Sequence, residues 1–551
     1  MNIKAKLLIN EFGNGFVNYE DKTIYINKKD LSNAFNLEEV SIEYYCKNNL
    51  YYGKVINYSL IDKVFIGIVH HIYQDEIYIY CDELKKNLIA IKITDVVLNK
   101  NTWVSVKITA DKPKLIGKFI GILENNIDDI IEKKFKLDLI EFPQIYGTKK
   151  SNHIDQTDLD TFTIDPLESQ DCDDAFSIKE CDDGIHIYVH ISDVAYYINP
   201  DLKEFDTVME RGNTYYGTNK NWPMIPRNYS DNICSILPNK KTYVVTCEFI
   251  YNKGFPDKIL YCGYYYSEII SKNKYCYEHV DMKLDDMKLD DMKLKIIYET
   301  SKIIKASIPD FIINKESKAH SMIKYWMIKI NQVMASEIQK IYRCNSKPEA
   351  NKFNIVKEYI GTYTNIEDRT ELLNYLSKET SKTKLLDYLI KQLLTKAYYD
   401  NSDKNYHYGL GIDNYTHWTS PIRRSCDLLN HCILRGYNID NNIRKYLINM
   451  NETELKQNAI ENFIINQKNK FQINQMVCGI IIGLGTYGIT VYIEDFDNKY
   501  TIHISKLSEQ KLHFENNILY NECDKYELFD YVNLIIVKID FDQIDLEKLK
   551  N

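Results

Sequence analysis

The chain has 551 residues and sets 69 Lys and Arg against 78 Asp and Glu, a formal net charge of −9. At roughly 150 residues per domain this length supports about three to four domains. A hydrophobic fraction of 44% and a charged fraction of 27% exclude a chain that is disordered throughout. The acidic balance excludes a simple basic coat for nucleic acid, so any polyanion must meet a locally basic surface. The 13 cysteines stand singly and form no CxxC, which reads as reduced thiols in the cytoplasm. The first residues mix charge with apolar side chains, unlike a secretory signal. The most apolar stretch, 478–493, is too short to cross a bilayer and is broken by glycines.

The first 120 or so residues read as β-structure. "FVNYEDKTIYIN" and "VFIGIVHHIYQDEIYIYC" gather β-branched and aromatic residues in short runs around the turn-like "YEDK" and "YQDE". Two such clusters predict two small barrels, at 1–50 and 51–122. Residues 123–470 are mixed. Strands dominate to about residue 265, as in "GIHIYVHISDVAYYI" and "KTYVVTCEFIY". Helical periodicity follows in "SMIKYWMIKINQVMASEIQKIY" and "ETELKQNAIENFIINQKNKF". Residues 281–295 read DMKLD-DMKLD-DMKLK. Five residues match no helical turn or solenoid unit, so the repeat is expected in a solvated connector. Residues 471–551 return to glycine-punctuated strands and suit an OB-like barrel.

Chemistry concentrates in "TIDPLESQDCDDAFSI", which bunches Asp165, Asp171, Asp173 and Asp174 after a turn at Pro166. Carboxylates held together repel one another and call for a cation. Oxygen ligands without Cys or His favour Mg²⁺, with Mn²⁺ as the alternative. Such a paired-metal site can activate water for phosphodiester cleavage. An exposed acidic loop is the plain alternative, and a calcium loop lacks its central Gly and terminal Glu. A second cluster, "HYGLGIDNYTHWTSPIRRSCDLLNHCIL", sets Arg423 and Arg424 after a Ser-Pro turn, where guanidinium groups could grip phosphates. They could equally be solvated arginines at a helix start. Between the two lies "RGNTYYGTNKNWPMIP", whose aromatics could stack on bases or simply pack. His190, His417 and His431 read as hydrogen-bonded core histidines, and Trp222 and Trp418 as packing residues.

Taken in order, these segments resemble the RNB catalytic domain of the ribonuclease II / ribonuclease R family. The pattern T-I-D, D-x-D-D-A, H-I-x-D-V, R-G-x-x-x-Y, P-M-x-P, H-x-T-S-P-I-R-R and D-L-x-x-H falls at 163–165, 171–175, 190–194, 211–216, 223–226, 417–424 and 427–431. The resemblance implies a multidomain α+β fold. Two cold-shock-type OB barrels (1–50 and 51–122) would precede the catalytic domain (123–470), and one ribosomal-protein-type OB barrel (471–551) would follow it. It also implies a processive 3′→5′ exoribonuclease, a monomer, releasing nucleoside 5′-monophosphates from single-stranded RNA with Mg²⁺ or Mn²⁺. Asp165, Asp171, Asp173 and Asp174 fall on the metal-binding acids, with Asp173 the most critical for cleavage. Tyr216 falls on the aromatic that stacks the 3′-terminal nucleotide. Arg423, with Arg424 behind it, falls on the arginine at the scissile region, and Glu461 is matched to a supporting acid.

Gly217-Thr218 replace the usual Leu-Pro, Ser425 a common aromatic and Cys432 a frequent arginine. These departures bear on RNA affinity more than on chemistry, and the first predicts a looser clamp loop. Residues 315–350 hold Lys315, Lys318, Lys324, Lys329, Lys340, Arg343 and Lys347 against Glu316, Glu337 and Glu349, a local charge of 7 − 3 = +4. Lys324 and Arg343 are expected to touch RNA, and a solvated helix face is the alternative. A catalytically silent RNA-binding regulator and an endonuclease are the rival readings. Without a recognisable N-terminal nuclease extension or Lys-rich tail, the chain looks closer to compact ribonuclease II.

Overall fold

The computed structural model describes residues 2–549 except 10–13, 20–21, 33, 35–38, 48–49, 58–59, 85–87, 93–96, 112–113, 125, 143–152, 253–257, 286–291, 309–316, 349, 360–382, 394, 403–404, 469–471, 509–510, 516 and 541–542. It forms two compact bodies. The first is Met1–Asp138 with Gly217–Lys220, and the second is Leu139–Tyr216 with Asn221–Asn551.

The first body begins with a six-stranded sheet in the order Asn2–Lys6, Glu39–Lys47, Leu50–Asn57, Lys22–Ile26, Gly15–Tyr19, Leu8–Ile9. Alternation does the folding. In "KTIYI" Ile24 and Ile26 point inward, and in "EVSIEYYCK" so do Val40, Ile42 and Tyr44, meeting Val17 and Val55. Leu50–Asn57 pairs antiparallel with Glu39–Lys47 and parallel with Lys22–Ile26. The boundary expected at residue 50 therefore cuts a strand of the first sheet and moves beyond residue 57. The tyrosine-rich "LYYGKVIN" alternates too weakly to announce its partner.

Next comes a closed barrel of Trp103–Ala110, Ile116–Ile122, Ile89–Lys92, Glu76–Tyr80 and Val64–Tyr73, filled by Val69, Ile79, Ile89, Val104 and Val106. Closure removes the sheet edges. The helix Ile127–Phe135 follows, started by Asn126, whose side chain accepts from the Asp128 N–H, and ended by left-handed Lys136. Asp128 is buried, and within this body its carboxylate accepts from the Thr218 N–H (2.6 Å), the Thr218 hydroxyl (3.0 Å) and the Asn219 N–H (2.8 Å). Gly217-Thr218 thus give an anchored turn, which corrects the looser loop expected. A proline at 218 would have no N–H to offer.

The second body is built on a six-stranded sheet in the order Ile154–Asp155, Ile259–Cys276, Thr161–Asp165, Asp174–Cys181, Gly184–Ser192, Lys241–Tyr251. The 18-residue strand Ile259–Cys276 also pairs with Lys241–Tyr251, tying the two sides of the sheet together. The helices Tyr277–Asp285, Met292–Ser307 and Lys318–Ile338 cover it around Phe162, Phe176, Phe249, Ile297 and Trp326. The described parts of the DMKLD repeat, 281–285 and 292–295, are helical and not a solvated connector. The first copy ends Tyr277–Asp285 and the last begins Met292–Ser307, with Leu294 fully buried and Leu284 packed on the core. Apolar Leu at the right phase of each helix overrides the five-residue rhythm. Residues 286–291 lie outside the described residues.

A second core joins Phe205–Arg211, Ser425–Leu434 and Ile443–Lys468. The chain ends in a five-stranded sheet, Asn498–His503, Gly488–Ile493, Met476–Gly485, Tyr531–Asp540, Gln543–Lys548, packed around Ile481, Val491, Leu519 and Leu534. Tyr388 of the helix Lys384–Leu393 stacks on Tyr492 of this sheet at 4.4 Å. Among the described residues, no helix is long and apolar enough to cross a membrane.

Candidate active site

Asp165 is the last residue of Thr161–Asp165 and Asp174 the first of Asp174–Cys181, so two neighbouring strands hold two of the acids at one end of the sheet. The connecting loop turns at Pro166, whose carbonyl accepts from the Ser169 N–H at 3.1 Å. The Ser235 hydroxyl pins the loop by donating to the Gln170 carbonyl (2.7 Å) and accepting from the Cys172 N–H (3.0 Å). The Ser192 N–H donates to the Asp173 carbonyl at 2.9 Å. These bonds bury Asp173 to 4% exposure.

The arginine turn meets the acids. The Ile422 N–H donates to Asp173 Oδ1 at 2.9 Å, and Arg423 Nε lies 3.4 Å from Asp173 Oδ2. The Ser420 hydroxyl accepts from Arg423 Nη2 at 2.9 Å. Beside this turn runs the loop that carries Tyr216. The Thr214 N–H donates to the Arg423 carbonyl (3.0 Å), and the Ser425 N–H donates to the Gly212 carbonyl (2.8 Å). Gly212 has φ +75°, and a Cβ there would lie 2.4 Å from the Thr453 hydroxyl oxygen, so the glycine of R-G-x-x-x-Y is required twice over. The loop closes as a short hairpin, Tyr215–Tyr216 against Asn221–Trp222. The Tyr216 hydroxyl donates to Asp171 Oδ2 at 3.2 Å while the residue stays 40% exposed.

Burial dominates the electrostatics. Desolvation pushes Asp173 well above the usual carboxylate range, although the Arg423 charge and the Ile422 N–H pull the other way. Asp174 is pushed up to about 8 by burial and by Asp165. Asp165 also rises, through burial, against hydrogen bonding with Cys172 and the charge of Lys274. One buried oxygen each of Asp165, Asp173 and Asp174 has no hydrogen-bond partner. Orphaned carboxylate oxygens that raise one another's proton affinity fit a hard divalent cation such as Mg²⁺, which would supply the missing positive charge. Asp171 lies beside them, bonded to Ser169 and Tyr216.

The structure therefore brings together Asp165, Asp171, Asp173, Asp174, Arg423 and Tyr216. Other expected residues are spent elsewhere. Arg424 turns away from the acids and ion-pairs with fully buried Asp427 at 2.7 Å. Asp427 also accepts from the Ser420 N–H (2.8 Å), so Arg424 shapes the turn rather than meeting the acids. Glu461 is exposed on Ile443–Lys468 and accepts from Gln457 at 2.7 Å. Arg343 pairs with Glu454 at 2.7 Å under the Tyr399 ring, with its side chain 13% exposed. Lys324 is half-buried over Tyr325, and Lys318 and Lys340 pair with Asp285 and Asp440. Partners from other segments thus offset the charges of Arg343, Lys318 and Lys340. Lys315, Glu316 and Glu349 lie outside the described residues.

The histidines fill the structural roles expected. His190 bonds the hydroxyls of Ser177 (2.9 Å) and Thr246 (2.8 Å), and burial lowers its pKa to about 3. His431 bonds the Trp418 carbonyl and stacks on that indole. Cys432 is buried, and the guanidinium that reaches Asp193 comes from Arg435, one helical turn further on. Two residues near the acids escaped sequence reasoning. Tyr277 has its hydroxyl pushed up by burial and by Asp174 and Asp165, and Lys274 bonds the Ser169 carbonyl. Both stand about a hundred residues from the acids, where only the pairing of Ile259–Cys276 with Thr161–Asp165 brings them close.

Residues 153–439 match the RNB domain family. The chain belongs to that family. It is 25% identical to Ribonuclease R of Mycoplasma genitalium over 507 residues, covering 79% of this chain and 68% of that one. Against several other bacterial relatives of the same name it spans 54% to 62% of their length. In fold it is similar to Mycoplasma genitalium RNase R in complex with ribose-methylated single-stranded RNA, with a TM-score of 0.79, 21% identity and coverage of 99% of this chain and 100% of that one. It is also similar to yeast Ssd1, a pseudonuclease, with a TM-score of 0.68, 16% identity and coverage of 92% and 79%. The mixed α/β catalytic fold with flanking OB-type barrels is that of these relatives.

Proposed function

We propose that this RNB-family chain is a processive 3′→5′ exoribonuclease that hydrolyses single-stranded RNA to nucleoside 5′-monophosphates. The observation that carries the reading is the convergence of three buried carboxylate oxygens without a hydrogen-bond partner, those of Asp165, Asp173 and Asp174, with Arg423, which ion-pairs with the Asp173 one, and Tyr216. Asp165, Asp171, Asp173 and Asp174 would hold two Mg²⁺ ions, with Mn²⁺ as a substitute. Bound there, such ions would activate water and offset negative charge at the reacting phosphate.

The protein's own groups do the rest. Tyr216, an exposed residue, offers its ring to the last base. Arg423, anchored by Ser420, directs its guanidinium toward the scissile phosphate and stabilises the charge that develops there. The Ile422 N–H and the Ser235 clasp fix the acids before substrate arrives, so little reorganisation accompanies the reaction. Recognition of 2′-hydroxyls would make DNA a poor substrate. The barrels would add affinity for longer RNA through stacking along a strand.

A catalytically silent RNA-binding regulator has one observation in its favour, the likeness in fold to a pseudonuclease. The complete acid set with its arginine in place weighs against it. Incubating the full chain with end-labelled single-stranded RNA, with Mg²⁺ or with EDTA, tests the proposal. Mononucleotide release only with Mg²⁺ supports it. Tight RNA binding without cleavage would favour the regulator, and internal cuts would make it an endonuclease.

A further inference from the structure

The strands Asp174–Cys181 and Gly184–Ser192 form one hairpin, and the catalytic acids lie at only one end of it. At the other end, where Cys181 faces Gly184, stand Cys181, Asp183 and His186, spaced C-x-D-x-x-H. Cys181 and His186 are diagonal neighbours across the hairpin, on the same face, because His186 pairs with Lys179 two residues before Cys181. Sγ of Cys181, a carboxylate oxygen of Asp183 and a ring nitrogen of His186 all lie within 4.8 Å of one another. A tetrahedral zinc site with bonds of about 2.0–2.3 Å has ligand separations of roughly 3.5 Å, so small side-chain rotations would close the set.

Both ring nitrogens of His186 meet carboxylates. His186 Nε2 points toward Asp183 Oδ1 at 2.9 Å, while Nδ1 lies 2.6 Å from Glu248 Oε1 on the adjoining strand Lys241–Tyr251. An ion that displaced the Nε2 proton would find the imidazole held by the Nδ1–Glu248 bond in the tautomer a metal-bound histidine needs. Thiolate, imidazole and carboxylate together suit a borderline cation such as Zn²⁺ better than Mg²⁺ or Ca²⁺. The catalytic acids, all oxygen donors, have the opposite preference.

We propose that Cys181, Asp183 and His186 bind a Zn²⁺-class divalent ion, with Glu248 as a positioning residue behind His186 and the fourth position open to water. The ion would staple the hairpin at the end away from the acids. The site stands apart from the nuclease reading, since none of its residues touches the catalytic acids.

Cobalt distinguishes the two ends. The full chain, stripped with EDTA, is titrated with Co²⁺ while the near-ultraviolet thiolate-to-cobalt charge-transfer band is followed. Cobalt held by carboxylates alone gives no such band. The expected result is a band that saturates at one equivalent, disappears on adding Zn²⁺ and is absent in Cys181→Ser. Glu248→Gln should weaken the affinity about 10–100-fold, the usual effect of losing a histidine's supporting partner. Mg²⁺-dependent nuclease activity should be unchanged in Cys181→Ser. Absence of the band, or its survival in Cys181→Ser through another thiol such as Cys172, would overturn the proposal.

Discussion

Asp174 and Asp183 belong to the same hairpin and have opposite electrostatics. Asp174 opens the strand Asp174–Cys181 inside the fold, where burial and Asp165 push its carboxyl up to about 8. Asp183 sits in the exposed turn, and its bond to His186 holds it below the usual range. Residue type alone therefore does not make a catalytic carboxylate. Water and a histidine satisfy the exposed acid, whereas the buried ones are left with orphaned oxygens that a metal can fill. The cost of assembling such a cluster is what readies it to bind a cation.

The largest contrast is expected in catalysis. Asp173→Asn keeps the shape of the buried end and removes its charge, and the single-turnover cleavage rate should fall by ~10²-fold or more, with RNA binding retained. Asp183→Asn at the exposed end should cleave at the wild-type rate. Equal losses in both variants would erase the distinction between the two ends.

The next effect is on stability. Arg424→Ala leaves Asp427 buried without its partner and should lower the unfolding free energy by about 3–5 kcal/mol in denaturant titrations. Arg423→Ala, whose side chain is 43% exposed, should leave stability close to wild type and slow cleavage instead. The reverse pattern would return Arg424 to the catalytic set.

Tyr216→Ala removes one stacking platform, worth roughly 1–3 kcal/mol per base, and should lengthen the final product seen on a sequencing gel. An unchanged end product would remove Tyr216 from the clamp.

A further contrast is in pH dependence. An acid whose pKa rises on folding, as Asp174 does, favours the folded state at low pH and loses that contribution as pH climbs to about 8. Metal-free protein should therefore melt at progressively lower temperature over that range, and Mg²⁺ should raise Tm more at about pH 9 than at about pH 6. A Mg²⁺ effect independent of pH would mean that the ion binds elsewhere.

The acids were legible in sequence because four of them crowd within ten residues, and Arg423 and Tyr216 because contiguous motifs carry them. Arg424 was not separable from Arg423, since adjacent residues point apart and only the partner, Asp427, decides which one turns inward. The charge count over 315–350 misled for a related reason. Glu454, Asp440 and Asp285, which engage Arg343, Lys340 and Lys318, come from other segments of the chain. Tyr277 and Lys274 reach the site only through strand pairing. The boundary after residue 57 depended on pairing too, whereas the alternating strands on either side of it were readable directly.

On the reading proposed above, RNA is consumed from its 3′ end at the buried acids. A 5′-labelled RNA hairpin with a single-stranded 3′ overhang tests it most directly, given to wild type and to Asp173→Asn in Mg²⁺. Wild type should shorten the overhang in a ladder and stop near the stem, while Asp173→Asn should bind the RNA and leave it whole. Cuts inside the closed loop, or an undiminished ladder from Asp173→Asn, would contradict it.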